Sequence, residues 1–305
     1  MSLPKNYDYR ANVHLFRWQE LNILLDVNSG AIHIMDELGY LFIDKLTEYS
    51  GDTERVVAYL EENSPYHIDE IKEIQQEVES LAEQGSLFTL DNEIILDMSG
   101  MRIKALCLNV AHACNMKCRY CFASQNGSWF DPGLMSLATG KRALDFLIKN
   151  SGPNRNLEVD FFGGEPLLNF PMLQELVKYG RQREAQTGKK FNFTLTTNAL
   201  LIDEQVIDFV RENDISVILS LDGRPRVNDE HRMLTSGEGS YNVIVPKIHD
   251  MVNSRPVSYY VRGTFTRKNL DFCEDLKHII ELGHESLSLE PAVGENTEYS
   301  IQMED

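Results

Sequence analysis

The sequence lacks the features that would place it in a membrane or in the secretory pathway. None of its apolar runs approaches the roughly 20 residues that a membrane-spanning helix needs. The N-terminal residues MSLPKNYDYR contain no apolar core of a signal peptide. No internal repeat or low-complexity segment occurs in the 305 residues. We therefore expect a cytoplasmic protein with no membrane partner.

Positive charge is also scarce, since the chain carries a net charge of −18. Residues 1–100 hold 6 Lys or Arg against 20 Asp or Glu, which leaves a net charge of only −4 for the rest. Binding to a phosphate backbone requires basic side chains, so a nucleic acid is not an expected partner. The acidic region is either a solvated face or a surface that attracts a basic or neutral peptide.

The first hundred residues have the pattern of a small α+β module. Residues 13–34 contain two strand-like runs around the turn signal Asn28-Ser29-Gly30. Three amphipathic helical segments follow, and the run SLFTL at 86–90 predicts a final short strand. We expect a winged-helix-like module over residues 1–90 and a linker over 91–101.

From residue 102 onward, strand-like runs alternate with amphipathic helices, which favours βα units and a parallel sheet. No Rossmann glycine fingerprint is present, so a partial (β/α)6 barrel over residues 102–305 is the expected architecture. The six runs are IKALCLNV, LEVDFF, FNFTLTTN, ISVILSL, VSYYVRGTFT and SLSLEP.

Cysteine is rare, yet three of the five cysteines fall within eight residues: Cys114, Cys118 and Cys121. Three thiolates on one loop can hold a [4Fe–4S] cluster while leaving one iron without a protein ligand. S-adenosylmethionine could chelate that iron through its amine and carboxylate, and its reductive cleavage gives a carbon radical. The alternative is zinc, with His112 or Cys107 as a fourth ligand.

The other two cysteines have simpler interpretations. Cys107 lies within the apolar run LCLNV and is expected to be a buried strand residue. Cys273 lies in a helix-like segment and is expected to be structural.

Four segments together resemble the radical S-adenosylmethionine superfamily, and the resemblance covers residues 102–291. Each segment follows an inferred strand, where the loops of a barrel carry its chemistry. The segments are CNMKCRYC, Gly163-Gly164-Glu165-Pro166, Thr196-Thr197-Asn198 and Ser220-Leu221-Asp222-Gly223.

The resemblance implies a cofactor-binding role for several residues. Gly163 and Gly164 would allow close approach of the backbone, and the Glu165 carboxylate would accept hydrogen bonds from the methionine ammonium. The superfamily pattern implies that three residues hold the ribose hydroxyls and the carboxylate: Asn198, Ser220 and Arg232. For Arg232 the alternative is a surface helix residue.

Three further assignments follow from the same resemblance. Tyr120 would cover the cluster or the adenine, with ordinary packing as the alternative. The adenine would lie against the backbone at Val293. Asp222 is a candidate catalytic or substrate-facing residue, and its alternative role is an Asx-type turn before Gly223.

The N-terminal module, together with NVAHACNMKCRYCFAS, VDFFGGEP, LSLDGR and YYVRGTFTR, resembles SPASM-type maturases that form thioethers in peptides with six cysteines in about forty-five residues. The resemblance implies that the module is a RiPP recognition element that binds the leader of a precursor peptide, by adding a strand to the meander. A 5′-deoxyadenosyl radical would remove an acceptor Cα hydrogen. A cysteine sulfur would then bond to that carbon with loss of the thiol proton and one electron, and an external electron donor would reduce the cluster.

The chain departs from that subfamily in one respect. Such maturases carry a C-terminal domain whose cysteines hold auxiliary clusters, whereas Cys273 is the only cysteine after Cys121. The expectation is a truncated product with partial activity. Two alternatives remain, which are another radical maturase of the anaerobic sulfatase-maturating type and a non-catalytic leader-binding scaffold.

Overall fold

The computed structural model describes residues 3–4, 6–90, 100–121, 133–294 and 298–302. The chain divides into two compact units, Met1–Met98 and Ser99–Asp305. Most of the expected linker, residues 91–99, lies outside the described residues. Within the described ranges, no helix is long and apolar enough to cross a membrane.

The first unit is an antiparallel meander packed against helices. Its strands are β1 (Val13–Trp18), β2 (Leu21–Asp26) and β3 (Ala31–Met35), and its helices are α1 (Tyr9–Asn12), α2 (Glu37–Glu48), α3 (Thr53–Asn63) and α4 (Ile68–Glu83). The strand order is β1-β2-β3, so β3 lies at one edge of the sheet.

Side-chain caps fix where the longer helices of this unit begin. The Asp36 carboxylate accepts a hydrogen bond from the Gly39 amide at the start of α2, and Asp52 accepts one from the Arg55 amide at the start of α3. His67 and Glu70 form a capping box at the start of α4. The apolar faces of the helices meet in one core around Leu24, Phe42 and Leu46, which are fully buried.

Residues 86–90 are not a strand, so that expectation from the sequence is wrong. The Phe88 amide donates to the buried carboxylate of Asp26 at 2.6 Å, and Phe88 has a φ of +55°. Its ring packs edge-on against Tyr7 and Tyr9. The Phe88 amide is therefore bound by a side chain and not by a neighbouring strand, and its left-handed backbone does not fit a strand. The third strand of the unit is β3 instead.

The second unit contains a six-stranded parallel sheet, which confirms the predicted α/β class. Its strands are β4 (Ala105–Ala111), β6 (Asn156–Gly163), β7 (Lys190–Thr197), β8 (Ser216–Ser220), β10 (Tyr259–Phe265) and β11 (Leu287–Pro291). They lie in the order β11-β10-β8-β7-β6-β4. Two short strands, β5 (Met116–Cys118) and β9 (Arg232–Leu234), form a separate antiparallel pair.

Helices connect these strands. They are α5 (Leu137–Asn150), α6 (Phe170–Thr187), α7 (Glu204–Glu212), α8 (Pro225–His231), α9 (Tyr241–Asn253) and α10 (Phe272–Glu281), with a 3-10 turn at Pro166–Asn169. Because consecutive parallel strands run in one direction, their C-terminal ends meet at a single edge of the sheet.

The two faces of the sheet differ in polarity. On β7, the side chains of Phe191, Phe193 and Leu195 are buried in the core, whereas the residues between them are only half-buried. The same alternation on the edge strand β4 buries Leu108 and leaves Cys107 exposed. The expectation that Cys107 is buried is therefore wrong, because its position has the parity of the more open face.

Candidate active site and cofactor-binding site

The cysteine loop begins directly after β4 and is held by the β5–β9 pair. Cys118 is the last residue of β5 and lies opposite Arg232 in that pair. The Cys121 amide donates to the Cys118 carbonyl at 3.2 Å, which forms a turn between these two cysteines. The Arg119 amide donates to the His231 carbonyl at 2.9 Å. The loop is thus fastened to the end of α8 and the start of β9.

Hydrogen-bond donors and a positive charge near the thiols favour the thiolate form, whereas burial opposes it. The Cys114 Sγ accepts from the Met116 amide at 3.4 Å and from the Asn198 side-chain amide at 3.8 Å. Burial raises the pKa of Cys118 to about 11, and the positive charge of Arg232 opposes that rise. Cluster binding would therefore release the Cys118 proton, as metal binding to thiols generally does.

The zinc alternative needs His112 or Cys107 beside the three thiols of the cysteine loop. In the described part of the chain, no three His, Cys, Asp or Glu side chains converge on a single ion position. Cys107 lies on β4 rather than on the loop. A larger inorganic cluster bridged by several sulfurs can connect thiols that one ion cannot.

Gly163 and Gly164 are required by a close approach between two backbones. A Cβ at Gly163 would lie 2.2 Å from the Ala111 carbonyl oxygen, and one at Gly164 would lie 2.3 Å from the Ala113 carbonyl oxygen. The Gly164 amide donates to Ala111 at 2.7 Å, and the Glu165 amide donates to Ala113 at 2.9 Å. These contacts fix the residue that immediately precedes Cys114.

The Glu165 carboxylate is buried inside the site and is already largely satisfied. Its Oε1 accepts from the Leu167 amide at 3.0 Å and from the Thr197 hydroxyl at 2.8 Å, and its Oε2 accepts from the Asn198 amide at 2.9 Å. Burial raises the pKa of Glu165, and these donors oppose that rise. Two carboxylate oxygens offer about four acceptor positions, so one remains for the predicted ammonium.

Asn198 connects this carboxylate to the cysteine loop. Its side-chain amide nitrogen donates to Asn115 Oδ1 at 2.8 Å as well as to Cys114, and its Oδ1 accepts from the Leu200 amide. The structure therefore brings Asn198 together with the glycine pair, Glu165 and Cys114. Ser220 lies at the end of β8, half-buried and paired with Arg262 of β10.

A second cluster joins Tyr120, Asp222 and Arg232. The Tyr120 hydroxyl donates to the Asp222 carboxylate at 2.9 Å and accepts from Arg232 Nη1 at 2.8 Å. Arg232 Nη1 lies 3.7 Å from Asp222, whose Oδ1 also accepts from the Thr264 amide. Burial raises the pKa of Asp222, and the charge of Arg232 opposes that rise. Arg232 is buried at the start of β9 and is not a surface helix residue.

Val293 differs from these buried groups, because it is 75% exposed and lies just beyond the end of β11.

One residue of the site was not singled out from the sequence. His231 is 1% exposed, and its ring contacts the Tyr120 ring edge-on at a centroid distance of 5.9 Å. Its only sequence signal is its position directly before Arg232.

The residues present fit the predicted cofactors. Three thiols lie on a loop that follows the first strand, and the Cys114 sulfur accepts N–H donors. Within the described residues, the buried Arg232 Nε has no hydrogen-bond partner, so a donor remains for an anionic group. Such a group would lie beside a buried cation, as the carboxylate of S-adenosylmethionine requires.

Comparisons with known proteins agree with this geometry. A family model described as a 4Fe-4S single cluster domain matches residues 97–246. An uncharacterized protein of Methanocaldococcus jannaschii is 30% identical over 189 residues, 62% of each chain. A cysteine-type anaerobic sulfatase-maturating enzyme of Clostridium novyi is 28% identical over 162 residues, which are 51% of this chain and 41% of that enzyme. The chain thus spans less than two thirds of the length of these relatives.

Solved structures share the fold. The structure of anSMEcpe with bound AdoMet and the Cp18Cys peptide superposes with a TM-score of 0.58 at 21% identity, over 65% of this chain and 55% of that one. Streptococcus suis SuiB bound to S-adenosylmethionine superposes with a TM-score of 0.50 at 16% identity, over 99% of this chain and 66% of that one. These matches confirm the partial-barrel fold.

The family model and the relatives support a likeness to radical S-adenosylmethionine enzymes, and the solved structures show the shared fold. The matching family model describes a 4Fe-4S single cluster domain, which supports a [4Fe–4S] cluster, and the solved structures that share the fold were determined with bound S-adenosylmethionine.

Proposed function

We propose that the chain is a radical maturase that installs thioether crosslinks between cysteine sulfurs and α-carbons of a ribosomally made peptide. The observation that carries the proposal is the joint presence of the cysteine loop and an N-terminal unit in which, among the described residues, the edge strand β3 is paired on one side only. When bound, the cluster and S-adenosylmethionine supply the radical that removes hydrogen from the acceptor carbon. Electrons come from an external donor.

The N-terminal unit is suited to bind an extended leader peptide. In the described sheet, β3 pairs with β2 alone, so its other edge presents unpaired backbone groups. A groove of about 240 Å³ lies between β3 and α4 and is lined mainly by apolar side chains such as Ile43, Val78 and Leu81. A peptide that adds a strand to β3 would gain backbone hydrogen bonds and place alternate side chains in this groove.

The residues of the barrel have separate tasks in this proposal. Gly163, Gly164 and Glu165 hold the cysteine loop in position and offer one remaining carboxylate acceptor to the methionine ammonium. Arg232 offers to the methionine carboxylate its Nε, which has no hydrogen-bond partner among the described residues. Tyr120 closes one side of the site, and Ser220, Asn198 and the Val293 backbone contact the nucleoside.

We assign Asp222 to the catalytic site as a residue that positions other side chains. The Tyr120 hydroxyl lies within hydrogen-bond distance of both of its oxygens, Oδ1 also accepts from the Thr264 amide, and Arg232 lies 3.7 Å away, so the carboxylate faces other groups of the site. We infer that it orients Tyr120 and Arg232 and balances the Arg232 charge inside a buried site.

A second candidate function is maturation of a sulfatase. The identity with the Clostridium novyi enzyme over half of this chain favours it. The two functions differ in the substrate, because sulfatase maturation does not use a leader peptide. A non-catalytic leader-binding scaffold would bind the leader without cleaving S-adenosylmethionine.

The test is to incubate the anaerobically reconstituted protein with S-adenosylmethionine, dithionite and the candidate precursor peptides encoded beside its gene. Mass spectrometry should show the loss of two hydrogens for each thioether formed. Conversion of a cysteine-containing sulfatase peptide alone would support the second candidate. Peptide binding without any product would support the scaffold.

A matched pair of variants tests the leader groove. Leu81→Glu places a charge in the groove, whereas Val57→Glu places one at another half-buried position of the same unit. We expect leader binding to fall at least about tenfold in the first variant and to change little in the second. Equal effects in both variants would contradict the groove as the leader site.

A further inference from the structure

A polar cavity lies beside the proposed active site and is not used by the reaction described above. It has a volume of about 220 Å³ and is lined by residues that include Arg224, Arg226, His231, Lys268 and Asn269. These residues belong to the segments that follow β8 and β10. His231 contacts Tyr120, so it connects the cavity with the cluster of Tyr120, Asp222 and Arg232.

A chain of hydrogen bonds determines which atom of the His231 ring carries a proton. It begins at Asp275, a fully buried carboxylate that accepts from Arg224 and from the Asn269 side-chain nitrogen at 3.1 Å. A carboxylate beside Arg224 is an acceptor, so the amide nitrogen of Asn269 faces it. The Asn269 oxygen therefore faces Thr266, where it accepts from the backbone amide at 2.8 Å and from the hydroxyl at 3.0 Å.

The hydroxyl proton of Thr266 is thus committed to Asn269. Its oxygen accepts from the Lys268 amide at 3.0 Å and lies 3.3 Å from His231 Nε2. With the hydroxyl proton used elsewhere, His231 Nε2 must be the donor in that contact. In a neutral imidazole, Nδ1 is then an unprotonated acceptor.

Within the described part of the chain, no group donates a hydrogen bond to His231 Nδ1. His231 Nδ1 is buried and has no hydrogen-bond partner there. Burial lowers the pKa of His231, which keeps the ring neutral although Asp222, Glu230 and Asp275 favour its protonation. Buried acceptors are normally satisfied, and an unsatisfied one on a residue that lines a polar cavity points to a ligand.

We propose that this cavity binds the peptide substrate and that His231 Nδ1 accepts a hydrogen bond from a backbone N–H of that peptide. The proposal rests on the proposed function, because it assumes a peptide substrate. Arg226 is exposed at the cavity and forms no ion pair among the described residues, so it is available to a carbonyl or carboxylate of the same peptide. His231 is therefore a substrate-positioning group whose ring contacts the Tyr120 ring.

The ligand chemistry is an N–H donor, and S-adenosylmethionine also carries one. The test uses two probes on the reconstituted full chain, N-acetyl-dialanine methylamide and its fully N-methylated analogue, which lacks donors. Binding is measured by saturation-transfer NMR with and without S-adenosylmethionine. The donor probe should bind about tenfold more tightly, as one hydrogen bond to a buried acceptor allows. Saturating S-adenosylmethionine should not displace it.

Variants of His231 complete the test. His231→Phe should abolish the preference for the donor probe, whereas His231→Asn, whose amide oxygen falls near the position of Nδ1, should retain part of it. Iron content and S-adenosylmethionine affinity should remain within about twofold of the parent protein in both, which would exclude misfolding. Equal binding of the two probes, no binding of either, or displacement by S-adenosylmethionine would overturn the proposal.

The same preparation separates this inference from the proposed function. If S-adenosylmethionine is not cleaved to 5′-deoxyadenosine, the proposed function fails irrespective of the probes. If it is cleaved but the donor preference is absent, only the peptide site at His231 is wrong.

Discussion

Replacing Gly164 by alanine should displace the backbone directly before Cys114 and so prevent cluster binding. The added Cβ would lie 2.3 Å from the Ala113 carbonyl oxygen and 2.5 Å from that of His112, whereas ordinary contacts begin at 3.4 Å. Both oxygens belong to backbone directly before Cys114, so no flexible side chain can yield. The loop must move by about 1 Å, which is the strain expected of overpacking in a tight site.

The cost of that movement follows from the hydrogen bonds that it would break. Two backbone hydrogen bonds join this turn to the loop, from Gly164 to Ala111 and from Glu165 to Ala113. Each contributes about 0.5–1.5 kcal/mol, and overpacking adds about 1–3 kcal/mol. The expected loss in the free energy of unfolding is therefore about 2–6 kcal/mol.

The assays are urea-induced unfolding and iron content after anaerobic reconstitution. Gly188→Ala is the control, because Gly188 has a φ of +69° but an added Cβ would meet open space within 4 Å. It should lose about 1–2 kcal/mol from backbone strain while retaining iron. A Gly164→Ala protein that binds as much iron as the parent would refute the steric argument.

Three further substitutions test other parts of the molecule. Asp26→Asn should destabilise the first unit by about 2–4 kcal/mol in urea unfolding, because Tyr7 and Phe88 both donate to the buried carboxylate; an unchanged midpoint would contradict this. Burial and His249 lower the pKa of His284, so the unfolded chain binds an extra proton below about pH 6.5 and stability falls as the pH falls. His284→Phe should flatten the dependence of stability on pH between about 7 and 5, and an unaltered slope would exclude His284 as its source. Asp222→Asn should weaken S-adenosylmethionine binding at least about tenfold in a calorimetric titration, since the amide no longer holds Tyr120 and Arg232 in place as the carboxylate does; parent-like affinity would show that Tyr120 alone positions the arginine.

The sequence predicts the parts of this site that depend on local spacing. Cys114, Cys118 and Cys121 share one loop, and the requirement for glycine at positions 163 and 164 follows from close backbone approach. The six strands were also predictable, because their apolar runs alternate with helices of matching length.

Long-range polar contacts were not predictable in the same way. The chain of hydrogen bonds from Asp275 to His231 joins residues far apart in the sequence. The residues on either side of each give no motif that would predict it. The engagement of Glu165 with Thr197 and Asn198 likewise depends on the strand order.

The prediction of a final strand at residues 86–90 was wrong for a related reason. Its apolar spacing fits a strand as well as it fits a buried irregular segment. The difference is made by Asp26, 62 residues earlier, whose carboxylate binds the Phe88 amide. Propensity carries no information about such a partner.

The central claim is tested most directly by 5′-deoxyadenosine formation. The anaerobically reconstituted protein is mixed with dithionite and S-adenosylmethionine, and the product is measured by chromatography beside Cys118→Ala and Cys273→Ala variants. The account predicts product from the parent chain and from Cys273→Ala, whose cysteine lies outside the loop, and none from Cys118→Ala. Failure of the parent chain to bind a cluster, or equal product from Cys118→Ala, would contradict it.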